Sequence, residues 1–310
     1  MSYRLPPSNP QSLTLPEPHK LADDHPLTSK TAQSTVTAVY LTHIGGHSRN
    51  VTVLWSRNLM NHSLTIYIDS EEHNNSYCSC KIDLKPWYFW SKKGYKTTEI
   101  DGVQVEIYWD LRSAKFTGGP EPCSDFYVAV VSDEEVALLL GDYGKKAYKR
   151  TKSRPALVEP LLFYKKENVF SKKIFSTRAR FEQGSTKEHE IVVEILTSGP
   201  QDPEMRITVD GFVVIHVRNL PWKFRGNETV QVNEKPVHVF WDVHAWLFSA
   251  PGSGHATFIF KPDVSDPIND KGGCDCDGDS EECNSTRSQY YSPQSHESQF
   301  CLFLCAWKLE

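Results

Sequence analysis

The segment Val103-Gln104-Val105-Glu106-Ile107-Tyr108-Trp109-Asp110-Leu111 returns as Val237-His238-Val239-Phe240-Trp241-Asp242-Val243, with Trp241 132 residues beyond Trp109. A proline-tryptophan corner precedes each copy, Leu84-Lys85-Pro86-Trp87-Tyr88-Phe89 in the first and Leu220-Pro221-Trp222-Lys223-Phe224 in the second. Phe116 and Phe248 each follow the strand tryptophan by seven residues. Corner, strand and aromatic recur in one order, so the chain reads as two copies of a single β unit.

The alternation inside each copy has period two. In the first, 35–43 and 51–55 flank the turn Gly45-Gly46-His47-Ser48, and 96–100 and 103–111 flank Asp101-Gly102, where glycine tolerates the positive φ of a tight hairpin. Further strands fall at 64–69, 77–84, 126–131 and 136–140. The second copy reads 174–182, 190–196, 205–210, 212–218, 229–232, 236–243, 256–260 and 300–307. Fifteen Phe, thirteen Tyr and eight Trp, against three Met, suit strands better than a helical bundle. The expected fold is all-β, with two tandem, internally duplicated antiparallel sandwiches of about eight strands each. Their expected extents are 34–142 and 174–309, joined by a basic connector over 143–173. Residues 1–33, with six prolines, read as a disordered tail, and the acidic insert 264–298 reads as a disordered loop.

The net charge of −5 hides a strong asymmetry. Residues 143–180 carry twelve Lys or Arg against Glu159 and Glu167, a local +10, which leaves −15 for the remainder. Within that stretch Lys145, Lys146, Lys149, Arg150, Lys152 and Arg154 fall inside ten residues beside Tyr148. Such a cluster fits an anionic partner, either a lipid surface or an acidic protein, with nucleic acid a weaker third reading. The bland alternative is a solvated strap paired with the protein's own acids. The eight cysteines form no evident disulfide framework, the N-terminus has no signal-peptide pattern, and no run reaches membrane-spanning length. The expectation is an intracellular, cytoplasmic protein, with a peripheral position at a membrane left open.

Multi-residue stretches carry a resemblance. They include Pro86-Trp87-Tyr88-Phe89-Trp90, Tyr108-Trp109-Asp110 and Ser113-Ala114-Lys115-Phe116-Thr117-Gly118-Gly119-Pro120-Glu121-Pro122, with 132–142, 222–229, 240–244, 251–261 and Ala306-Trp307-Lys308-Leu309. In these the chain resembles a plant family known as domain of unknown function eight hundred and sixty-eight, over 34–309 apart from the acidic insert. The resemblance implies a plant source and brings no activity with it.

The chemistry-bearing residues have bland readings beside them. Asp110 and Asp242 read as closing a turn after a buried Trp109 or Trp241 rather than as catalytic acids, and Trp87 and Trp222 read as rings filling the sandwich ends. His238, His244 and His255 lie near Asp242 and offer the alternative of an enzyme or metal site, yet His238 and His244, six residues apart along a strand, sit roughly 20 Å from each other. Cys274, Cys276 and Cys283, interleaved with Asp275, Asp277 and Asp279, fail the calcium-loop pattern because Ser280 and Thr286 stand where Gly and Glu are required. No catalytic residue, metal ligand or cofactor is assigned. The expected role is a non-enzymatic binding or scaffold module that meets an anionic partner through the basic connector.

Overall fold

The computed structural model describes residues 34–59, 61–70, 76–85, 89–171, 173–182, 187–196, 202–250, 253–263 and 300–309. The expected tail over 1–33, the insert 264–298 and the ring of Trp87 lie outside them. The first half folds as β1 (Ser34–Ile44), β2 (His47–Arg57), β3 (His62–Asp69), β4 (Ser76–Leu84), β5 (Lys93–Ile100), β6 (Val103–Asp110), β7 (Tyr127–Ser132) and β8 (Glu135–Leu140). Helix α1 (Gly144–Thr151), β9 (Arg154–Pro155) and β10 (Leu161–Ser171) occupy the connector. The second half supplies β11 (Ile174–Ala179), β12 (His189–Leu196), β13 (Glu204–Val209), β14 (Phe212–Val217), β15 (Arg225–Val232), β16 (Lys235–Asp242), α2 (His244–Phe248), β17 (His255–Pro262) and β18 (Cys301–Lys308).

The protein is nearly all β, and strands stand where alternation placed them because the apolar residue of each pair points inward. In β2, for instance, Val51, Val53 and Trp55 are buried while Thr52 and Leu54 between them are half-buried. Tight turns match their residues. Asp101 and Gly102 take φ of 48° and 78°, and Asp210 and Gly211 take 51° and 82°, the paired positive values of a two-residue hairpin loop.

Three sheets result. Five strands run in the order β5-β6-β7-β8-β9, four in the order β11-β12-β13-β14, and nine in the order β15-β16-β17-β18-β10-β1-β2-β3-β4. One core forms between β1–β4 and β5–β8, and another between β11–β14 and β15–β18. The halves are thus not two free-standing sandwiches, since the long sheet runs through both. Register shows that both cores lie on one face of it. Glu167 and Lys165 of β10 sit opposite Val36 and Ala38 on one side and beside Leu304 and Leu302 on the other, and Val36 belongs to the first core while Leu302 and Leu304 belong to the second.

The connector departs most from its sequence reading. Its second half is the strand that joins the halves, rather than a strap over them. Two pairings are also parallel, β8 with β9 and β10 with β18, where an antiparallel fold was expected. For β8 and β9 the reason is chain return. Leaving β8, the chain must travel back along the sheet before β10 can start, and α1 makes that crossover as parallel neighbours require.

Candidate functional site

The basic cluster 145–154 is carried by α1 and the turn into β9. Eight residues make a marginal helix alone, and no side chain caps the N-terminus at Tyr143. What holds it is packing: Ala147 is wholly buried with Tyr127, Ala129, Val131 and Val136 on the outer face of β7 and β8, while Tyr143 and Tyr148 close the sides. Lys152 ends the helix in the left-handed region at φ 60°. Lys149 and Arg150, in the last turn, suit the negative end of the helix dipole.

With Ala147 turned inward, Lys145, Lys146, Lys149 and Arg150 are left exposed on an arc of roughly 140°, at 100° per residue. Lys152 and Arg154 are exposed beyond it. Two of the six are engaged: Lys146 Nζ lies 3.3 Å from the Tyr143 ring centroid, and Arg154 pairs with Glu135 at 3.1 Å. Among the described residues no carboxylate pairs with Lys145, Lys149, Arg150 or Lys152. Next to this face Tyr95 and Tyr108 stack at 5.5 Å. The Tyr108 hydroxyl is pushed up to about 12, first by loss of solvent and then by the Glu106 carboxylate that accepts its hydrogen bond.

The remainder of the basic stretch does something different. Lys165 is buried in the seam between the halves, where its Nζ lies 2.7 Å from Glu167 and 3.8 Å from Glu121, and donates to the Arg178 carbonyl at 3.2 Å. Thr177 of β11 donates to Glu167 at 2.7 Å. The loop that supplies Glu121 is anchored by buried Pro120 and Pro122. One lysine therefore ties a loop of the first half to β11 of the second. Glu121 keeps 40% of its side chain exposed. Burial raises its carboxyl above the ordinary range, with Lys165 opposing and Glu167 and Glu188 adding to the rise. Burial likewise pushes the Tyr40 hydroxyl up.

The Trp-Asp strands make corresponding contacts in the two halves. Trp109 Nε1 donates to the Ser91 carbonyl at 2.9 Å, and Trp241 Nε1 to the Lys223 carbonyl at 3.1 Å, each partner 132 residues from the other. Gly94 and Gly226 leave room for those rings, since a Cβ on either would come within 2.8 Å or 2.3 Å of the indole. Asp110 accepts the backbone N–H of Arg112 at 3.4 Å, and Asp242 that of His244 at 3.0 Å, so each closes the turn after its strand. Partial burial pushes the Asp110 carboxyl up, but Arg112, through side-chain bonds of 2.9 and 2.8 Å, its backbone N–H and its charge, together with the Lys93 charge, holds it below the usual range.

Trp222 requires a correction. The ring was expected to fill a sandwich end, and it is 88% exposed. Leu220, wholly buried, takes that place, and the turn is fixed by Trp222 N–H donating to Asn219 and Lys223 N–H to Leu220, which leaves the indole pointing away. Phe248, at 56% exposure, likewise fails to match Phe116, which packs on the first core. Trp222→Ala is accordingly expected to change unfolding free energy by less than about 0.5 kcal/mol in a denaturant titration. A larger loss would mean that the ring has a partner within the fold.

The histidines near Asp242 have separate occupations. His238 meets Thr229 at 2.8 Å and Asp263 at 3.7 Å, His244 packs between Phe224 and Phe248, and His255 packs on Trp307 at 4.6 Å. Among the described residues no group of three or more His, Cys, Asp or Glu is placed to hold a metal ion, and Cys274, Cys276 and Cys283 lie outside them. No described helix is long and apolar enough to cross a membrane. An open depression of 360 Å³ is lined by Lys81, Ile82, Asp83, Lys85, Ser91 and Trp109.

No curated protein and no solved structure matches the chain. One family model does, that described as plant protein of unknown function (DUF868), over residues 31–308. With nearly the whole β fold inside that match, the chain belongs to the DUF868 family of plant proteins.

Proposed function

We propose that the protein is a non-enzymatic binding or scaffold module built by duplication of one eight-stranded β unit, and that the exposed face of α1 is its contact surface for an anionic partner. The observation that carries the reading is the arc of Lys145, Lys149 and Arg150, continued by Lys152, which is exposed, free of described carboxylate partners and fixed to the sheet through Ala147. A strap neutralised by the protein's own acids would have those cations paired. Four or five such charges near an anionic lipid surface contribute about 1 kcal/mol each. The duplication is supported by the tryptophan, glycine and aspartate contacts that repeat 132 residues apart.

Reversing Lys145, Lys146, Lys149 and Arg150 to Glu tests it. Folding is expected to survive, because exposed charges contribute little to stability, and retention on phosphatidylserine-containing vesicles is expected to vanish at moderate salt. Wild-type retention should itself weaken as salt rises and the Debye length falls from about 10 Å at 0.1 M to about 3 Å at 1 M. A single-stranded RNA arm separates the nucleic-acid reading. A wild-type protein that ignores vesicles, RNA and acidic protein at low salt would return α1 to a purely structural role.

A further inference from the structure

The face that α1 covers in the first half has a counterpart in the second that no described helix covers. Tyr108, Ala129 and Leu139 beneath α1 correspond through strand pairing to Phe240, Ile259 and Phe303. Trp109 and Trp241 pair with Val128 and Phe258, and those in turn pair with Leu140 and Leu304, which fixes the alignment. Under the helix Ala129 is 0% exposed and Tyr108 and Leu139 are half-buried, whereas on the second face Phe240 is 42% exposed and Ile259 and Phe303 are half-exposed. Tyr164 of β10 packs tilted against Phe303 at 5.3 Å and widens the apolar surface across the seam. In the first half α1 covers that face as it carries the chain from β8 back to β9.

We propose that this face, formed by β16, β17, β18 and β10, docks an amphipathic helix supplied by a partner protein and bearing acidic flanks. The internal precedent sets the shape, because a helix already seats on the corresponding face of β6, β7 and β8. Charge sets the chemistry. Lys166 of β10 and Lys261 of β17 project from the same face as Phe303, as register requires, and no described carboxylate pairs with either. The acids at its rim are held elsewhere, Asp242 by Arg225 at 2.7 Å and Asp263 by His238 at 3.7 Å. A helix in that groove would bury its apolar stripe on Phe240, Ile259 and Phe303 and set carboxylates against the two lysines. Two bare copies packed face to face would instead bring these lysines toward one another.

The test uses the full chain and a fluorescein-labelled 18-residue helical peptide with a Leu/Ala stripe and Glu flanks, beside the same peptide with Lys flanks. Anisotropy is expected to show binding of the Glu peptide at least tenfold tighter than the Lys peptide. Phe303→Glu and Phe240→Glu should each weaken it tenfold or more, and Phe240→Glu, at a 42% exposed site, serves if Phe303→Glu fails to fold. Lys166→Glu with Lys261→Glu should reverse the preference between peptides. Equal binding of both peptides, no binding of either, or indifference to the Phe240 change would overturn the proposal. So would sedimentation showing a wild-type dimer that Phe240→Glu dissolves, which would assign the face to a second copy. The α1 reversal should leave peptide binding unchanged, so this surface and the vesicle-binding face fail or succeed separately.

Discussion

Trp241→Ala is expected to lower the unfolding free energy by about 3–5 kcal/mol, the usual cost of emptying a large aromatic site. Trp241 is 9% exposed in the second core, and its Nε1 satisfies the Lys223 carbonyl at 3.1 Å. Removing the ring opens a cavity, strands that carbonyl and leaves Gly226, whose missing Cβ accommodates the indole, facing empty space. Little nearby can collapse inward, since Gly226 has no side chain to offer. Trp109→Ala should cost less, because that ring is only partly buried against its core although its hydrogen bond is equivalent. A loss comparable to the whole stability of a marginal domain would unfold the second core, and chemical denaturation followed by tryptophan emission and far-ultraviolet dichroism would record it. A loss below about 1 kcal/mol would show the site to be hydrated. The long sheet adds a further readout. Because β16 continues through β18 and β10 into β1, the second core should not melt without disturbing the first.

Much of this architecture was legible from period-two alternation and turn residues, which are local properties. The Asp101-Gly102 and Asp210-Gly211 turns and the Trp-Asp strands could be read off because each depends on neighbours within a hairpin. What escaped was set by long-range geometry. Nothing in Leu161 to Ser171 announces that it will lie between β1 and β18, since its half-buried residues carry the mixed pattern of a strand flanked by two cores. Lys165 illustrates the point: in sequence it is one of twelve basic residues in a charged run, and in the fold it is a buried ion set among groups from three separate segments. Helix α1 was invisible for another reason. Its lone buried residue is an alanine, and an apolar stripe one residue wide has no period to detect. The exposure of Trp222 was equally unreadable, because Leu220 and Trp222 are both able to fill a sandwich end and only the turn decides between them.

Lys165→Met is expected to destabilise the protein by about 3–5 kcal/mol at pH 7, the range for removing one member of a buried ion pair. The Lys165 and Glu167 side chains are 14% and 9% exposed, so Glu167 would keep its charge with Thr177 as its remaining partner at 2.7 Å. The double change Lys165→Met with Glu167→Leu should recover most of that loss, since two apolar side chains of similar volume need no counter-charge. The cycle thereby separates the cost of a stranded carboxylate from the net contribution of the pair. Glu121 gives the seam a pH dependence of its own. Its carboxyl is raised in the folded protein, so the protonated form favours folding. That contribution is full below the unfolded carboxyl value of about 4.3 and is lost as pH rises through the folded value. Glu121→Gln should therefore gain on wild type between pH 4 and pH 7, while Lys165, whose ammonium the surrounding carboxylates hold charged against burial, stays constant across that window. Denaturant titrations of the three variants at both pH values would check these signs. Should Lys165→Met cost less than about 1 kcal/mol, water must reach Glu167, and the joint between the halves would rest on β-sheet pairing alone.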